Sequence, residues 1–108
     1  MQYKFLVFSN PVAGREDDYN DWYTNTHVAE VTAIPGFTGA QRFRLVPGEG
    51  AQPDHRYLAI YDIESENVGE VMQELVVRGT SGGMQMSDAI DPQVSTFLYE
   101  VLPAAKTS

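Results

Sequence analysis

Two stretches near the ends of this chain carry apolar side chains on both faces of an extended strand, and that pattern constrains the fold more than any other feature. In QYKFLVFS (2–9) Tyr3, Phe5 and Val7 alternate with Leu6 and Phe8. In VSTFLYEVLP (94–103) Phe97, Tyr99 and Val101 alternate with Leu98 and Leu102. Successive residues of a strand point to opposite faces. A sheet of such strands has two apolar faces, and one layer of helices covers only one of them. The other needs a second sheet, most simply that of a symmetry mate.

The segments between supply the rest of the order. The first strand ends at Asn10-Pro11, a turn pair. After Gly14, the acidic Glu16, Asp17 and Asp18 suit a helix N-terminus, where negative charge meets the positive end of the dipole. A helix is predicted over 15–33. At about 100° per residue, Tyr19, Trp22, Tyr23, Thr26 and Glu30 share one face, with Asp21, Asn25 and Val28 on the other. Pro35-Gly36 stops it. FTGAQRFRLV (37–46) is the second strand, with Gly39 at a bulge or a close backbone approach. PGEGAQPDH (47–55) is a loop. RYLAIYDIE (56–64) is a strand with Tyr57, Ala59, Tyr61 and Ile63 on one face and Leu58, Ile60 and Asp62 on the other. Ser65 suits the N-cap of a second helix with the stripe Val68, Val71, Met72, Leu75 and Val76, ended by Gly79. TSGGMQMSDAIDPQ (80–93) is a polar loop, with Met84 and Met86 giving it an adaptable apolar underside.

The order β-α-β-β-α-β is that of a ferredoxin-like α+β fold with a four-stranded antiparallel sheet. Residues 1–103 form one domain and 104–108 a frayed tail. The 108 residues suffice for one core and not two. Two copies are expected to pack sheet on sheet as a homodimer.

Charge and composition remove several function classes. The net charge of −8 argues against nucleic acid, whose binding rests on Lys and Arg meeting phosphates, and disfavours anionic membrane surfaces. No apolar run approaches the roughly 18 residues of a membrane span. The first residues lack the pattern of a secretory signal, so a cytoplasmic location is expected. There is no cysteine, hence no thiolate nucleophile or cysteine metal site, and the two histidines lie 28 positions apart with no metal-ligand spacing. GTSGGM lacks the lysine of a phosphate loop. Neither metal nor cofactor is expected.

DWYTNTHVAEVTAIPGF (21–37), followed by AQRFRL, resembles the EthD-like branch of the dimeric α+β barrel superfamily. In that branch a Trp-Tyr-x-x-x-His run on the first helix leads to Pro-Gly-(Phe/Tyr), and a strand carrying an arginine follows. The matching positions are Trp22, Tyr23, His27, Pro35, Gly36, Phe37 and Arg42. One departure is Ala29, where many relatives carry a proline that breaks the helix. The helix is therefore expected to run on more smoothly. The resemblance implies a homodimer that handles small aromatic or polyketide-like compounds. Sister branches include cofactor-free monooxygenases, cyclases, isomerases and haem-degrading enzymes.

Candidate chemistry centres on His27, the side chain best matched to proton transfer near neutral pH. It sits at the border of the apolar stripe, one turn from Tyr23, and is either an acid-base group or a histidine that orders the helix end. Trp22 and Tyr23 bury area as aromatics and reach a pocket with their polar tips. Glu30 either orients the imidazole or pairs with Arg42. Arg42 either holds a carboxylate or enolate oxygen or makes an ion pair, and Arg44 shares its strand face. Tyr61 is placed to donate to a developing oxyanion. Asn10 is a turn residue near the helix start, and His55 an exposed loop residue. The leading expectation assigns His27, Tyr23 and Tyr61 to catalysis, and Trp22, Arg42, Glu30 and Asn10 to substrate binding. The reaction would be a cofactor-free isomerisation, cyclisation or decarboxylation. The alternatives are a non-catalytic binding or accessory protein for a hydrophobic metabolite, a haem-binding or monooxygenase-like member, and a purely structural dimer.

Overall fold

The computed structural model describes residues 1–48 and 53–104. Residues 49–52 of the predicted 47–55 loop and 105–108 of the tail expected to fray lie outside the described residues. The elements run β1 (Gln2–Ser9), α1 (Glu16–Trp22), a π-helical turn (Tyr23–His27), α2 (Val28–Thr32), β2 (Phe37–Arg44), β3 (Tyr57–Glu64), α3 (Val68–Thr80) and β4 (Ser95–Glu100). The sheet order is β2-β3-β1-β4 with every neighbour antiparallel, the ferredoxin-like α+β fold.

Period-two burial positions the core. Tyr57, Ala59, Tyr61 and Ile63 of β3 all face the helices and are buried together with Phe5 of β1. From the helix side Tyr19, Trp22, Tyr23, Val31, Ile34 and Val71 close over them. The opposite face holds Leu6, Phe8, Phe43, Leu58, Ile60, Phe97 and Tyr99, as the register of paired strands requires. That face is open: Phe43 is 45% exposed, Phe97 49% and Tyr99 56%. The alternation read from the terminal strands is thus the alternation of one buried and one open apolar face.

The first helix departs from the regular one predicted. Its middle turn is π-helical, with the Val28 amide donating to the Tyr23 carbonyl five residues back. The extra residue advances the phase of everything after it. Val28, expected on the polar face, packs against the core, and Val31 and Ile34 become buried. Glu30, expected on the apolar face, turns toward the loop after α3. The departure from proline at position 29 therefore leaves a continuous helix, but not a smoother one.

Other differences are local. The cap of α3 is Asn67, whose side chain accepts from the Glu70 amide at 3.3 Å, while Ser65 Oγ accepts from the Asn67 amide at 2.9 Å. Asn67 and Glu70 form the N-x-x-E spacing of a capping box, two residues beyond the Ser65 expected as the cap. The helix runs past Gly79 to Thr80, and the left-handed residue beyond it is Gly82. The bulge expected at Gly39 is present as a register shift between Phe37 and Gly39.

Gly36 shows why the helix stop has its sequence. Its φ is +103°, and a Cβ there would lie 2.7 Å from Val71 Cγ2 on α3. The Glu64 amide donates to its carbonyl at 2.9 Å, so the turn is tied to β3 as well. A side chain at this position meets backbone strain and a steric clash together. Gly36→Ala is expected to cost about 2 kcal/mol or more of folding stability, read from urea denaturation. A loss below about 0.5 kcal/mol, the range of neutral surface changes, would contradict the packing described.

Candidate functional site

The π turn sets side chains five residues apart above one another, and here it stacks Trp22 on His27. Their ring centroids lie 4.6 Å apart at 24°, and Tyr23 meets the imidazole edge-on at 5.1 Å. The loop after α3 covers this face. The Trp22 indole donates to the Gln85 carbonyl at 2.8 Å, and the Gln85 amide donates to the Glu30 carboxylate at 2.8 Å. Gln85 is therefore clasped through both of its backbone groups, and Met84 beside it is buried.

His27 Nδ1 is buried and has no hydrogen-bond partner among the described residues. Burial pushes the imidazole pKa below its usual value, against the opposing pull of Glu30. The ring is therefore neutral at neutral pH. Tyr61, on the β3 face below, is 1% exposed, and its hydroxyl likewise lacks a partner of hydrogen-bonding geometry. Burial lifts its pKa to about 12, although the nearby Tyr23 hydroxyl and Arg42 draw it back. Burial also raises the Tyr23 phenol strongly. Both phenols stay protonated across the physiological range and can only donate or accept hydrogen bonds. Two polar atoms without partners in one aromatic cluster are costly unless something else meets them.

Arg42 lies over the Tyr23 ring. Its guanidinium carbon sits 4.4 Å from the Tyr23 ring centroid, 5.4 Å from Tyr19 and 5.5 Å from Tyr57. It donates to Thr24 Oγ1 and to Asn20 Oδ1, each at 2.9 Å. Asn20 Nδ2 donates to the Tyr57 hydroxyl at 3.2 Å, Tyr57 donates to Glu16, and Arg56 pairs with Glu16 at 3.1 Å. The Tyr57 hydrogen bond is the main reason the Glu16 carboxyl lies below its usual pKa, with Arg56 and Arg44 adding to it. Tyr19 shares a 2.6 Å hydrogen bond with Ser9 Oγ in the core.

The residues singled out from the sequence thus fall into groups. His27 meets Trp22 and Tyr23, the Tyr61 hydroxyl neighbours that of Tyr23, and Arg42 lies over the Tyr23 ring. Glu30 contacts the Gln85 amide and not Arg42. Asn10 is used by the next loop: its Nδ2 donates to the Asp54 carbonyl at 2.9 Å and its Oδ1 accepts from the Arg56 amide at 2.8 Å. His55 Nε2 lies 3.0 Å from the Gln93 carbonyl oxygen. Three contributors were not foreseen. Asn20 and Thr24 sit four residues apart on one helix face, a spacing that placed them beside each other from the start. Gln85 acts through its backbone, which leaves no sequence signal. Among the described residues no group of three His, Asp or Glu is arranged to hold a metal, and no helix is long and apolar enough to cross a membrane.

The sequence matches no family model and no curated protein. Solved structures do match. An EthD family protein from Bacillus halodurans is 14% identical, with TM-score 0.61, over 94% of this chain and 100% of that one. The haem-degrader MhuD of Mycobacterium tuberculosis, solved with two haems bound, is 19% identical, with TM-score 0.66, over 96% and 99%. SnoaB, a cofactor-independent oxygenase from Streptomyces nogalater, is 12% identical, with TM-score 0.57, over 95% of each chain. At these identities the likeness establishes the ferredoxin-like fold and leaves the chemistry to the site.

Proposed function

We propose that the protein is a small enzyme that moves a proton on an aromatic or polyketide-like carbonyl compound, working without a cofactor at His27, Tyr23 and Tyr61. One observation carries this reading: His27 Nδ1 is buried without a hydrogen-bond partner against Trp22 and Tyr23, and the Tyr61 hydroxyl, also without a partner of hydrogen-bonding geometry, lies near Tyr23. A neutral imidazole can take a proton from carbon next to a carbonyl, and a phenol held protonated can donate to the enolate oxygen that forms. Trp22 and Tyr23 enclose the imidazole, so a flat substrate would have to part these rings to reach it. SnoaB, described as a cofactor-independent oxygenase, supports the capacity of this fold to work without a cofactor.

A second reading has its own support. Trp22, Tyr23 and Tyr61 are each no more than 9% exposed, so the cluster is tightly closed. Rings that fill the space themselves suit a purely structural dimer, and a binding or accessory protein would have to open them to hold a hydrophobic intermediate. A haem-handling role rests on the likeness to MhuD and on a histidine that is neutral at physiological pH; it requires a Soret band on haem titration that His27→Ala removes.

Solvent exchange separates the enzyme from the carrier. Incubated in heavy water with small aromatic ketones and 1,3-dicarbonyl compounds, the protein is expected to speed deuterium entry beside the carbonyl. His27→Asn should lower that rate about 100-fold and Tyr61→Phe at least about tenfold. Folded variants of both kinds that keep the full rate would sink the catalytic assignment, and ligand bound but never exchanged would favour the carrier.

The active form in this reading is a homodimer joined through the open sheet faces. Phe43, Phe97 and Tyr99 there form the kind of apolar surface that a soluble monomer rarely leaves bare. Sedimentation equilibrium should give twice the chain mass, and Phe97→Asp should shift the population toward monomer. A monomeric wild-type protein at micromolar concentration would refute the pairing.

A further inference from the structure

Two arginines in this chain lack what the other described side-chain cations have. Lys4 pairs with Asp62, Arg15 with Asp18 and Asp88, Arg56 with Glu16, and Arg78 with Glu74. Arg42 and Arg44 have no carboxylate within ion-pairing distance among the described residues. Carboxylates are not scarce: the chain has 15 acidic residues against 7 basic ones. Glu16, the carboxylate whose charge Arg44 feels, is already held by Tyr57 and Arg56. Arg42 and Arg44 pair with Ala59 and Tyr57 of β3, so they stand on the same, helix-facing side of the edge strand. Two adjacent positive charges repel each other and are normally neutralised.

Both line one hollow of about 320 Å³, together with Asn20, Thr24, Phe43 and Tyr57. Arg42 is fixed there in advance. Thr24 and Asn20 take two of its five N–H donors, and three aromatic rings hold its plane, which leaves donors free in a set orientation. Asn20 is itself held by the Tyr57 hydroxyl. A fork locked before the ligand arrives loses little entropy on binding. Arg44 adds a second charge, while Tyr57 supplies an aromatic wall.

The geometry points to a binding site for the carboxylate of a flat, apolar organic acid, with Arg42 as the oriented fork and Arg44 as the second cation. One negative charge suits the place better than several, because a chain of net charge −8 repels polyanions at long range. The assignment concerns binding and stands whether or not His27 moves protons.

The test is a titration of the full, isotope-labelled chain followed by amide chemical shifts, with benzoate, benzamide and inorganic phosphate as probes. Benzoate is expected to saturate and to move the amides of Asn20, Thr24, Arg42 and Tyr57. It should bind at least tenfold more tightly than benzamide, its neutral isostere, and more tightly than phosphate. Arg44→Gln, at an exposed position, should weaken benzoate at least fivefold with the remaining spectrum unchanged. Arg42→Lys should weaken it as well, since an ammonium keeps the charge but loses the fork. If Arg42→Lys disturbs the fold, Arg44→Gln decides alone. Equal binding of benzoate and benzamide, undiminished binding in Arg44→Gln, or shifts confined to another surface would overturn the assignment. Phosphate binding more tightly than benzoate would overturn the carboxylate specificity.

Discussion

One extra residue in the turn from Tyr23 to His27 determines how the whole helical layer meets the sheet. A regular helix would keep Tyr19, Trp22 and Tyr23 inside but would then bring Glu30 in after them and leave Val28 outside. The π turn gives the second half of the helix a new phase, so that Val28, Val31 and Ile34 follow the aromatics into the core. Burying an aliphatic side chain of this size is worth about 1.5–3 kcal/mol. Burying an unpaired carboxylate costs several kcal/mol. Against these amounts the poorer hydrogen-bond geometry of a single wide turn is small. The turn also creates the site, because only this spacing lays Trp22 on His27 and frees Glu30 to hold the Gln85 amide.

Arg42 is the second organising element. It anchors the edge strand β2 to the helix through Thr24 and Asn20 and lies across the Tyr19, Tyr23 and Tyr57 rings. A guanidinium over an aromatic face contributes about 0.5–1 kcal/mol when exposed and about 2 kcal/mol when desolvated. Those contacts replace the carboxylate that Arg42 does not have. The Tyr23 ring thus contacts both a cation and a neutral imidazole. A substrate with an acid at one end and a carbonyl at the other would find chemically different surroundings for each.

Much of the fold was legible because it is written locally. The alternation in β3, the Gly39 bulge and the Pro35-Gly36 stop each depend on residues within a few positions of one another. The EthD-like motif pointed to the fold that solved structures of at most 19% identity share. The site was legible only in part. Applying one helical period throughout hid the phase break between Tyr23 and Val28, although Val28, Val31 and Ile34 signal it by their own spacing. Ser65 and Asn67 are both residue types that suit an N-cap, and two positions of ambiguity separate the expected cap from the actual one. The Gln85 clasp was out of reach, since a backbone amide and carbonyl carry no sequence signature. Arg42 was expected beside an acid, and its neutral partners come from a different element.

The central claim is that the π turn buries His27 as a neutral ring stacked on Trp22. A pH titration of the folded protein by nuclear magnetic resonance, following the His27 ring protons, tests it most directly. Burial disfavours the charged form, so the account predicts a midpoint below the usual value of about 6.5 and ring protons shifted upfield by the indole. Both effects should vanish in the unfolded chain. A midpoint at or above about 6.5, with ring protons at ordinary positions, would mean an exposed or charge-paired histidine and would contradict the account.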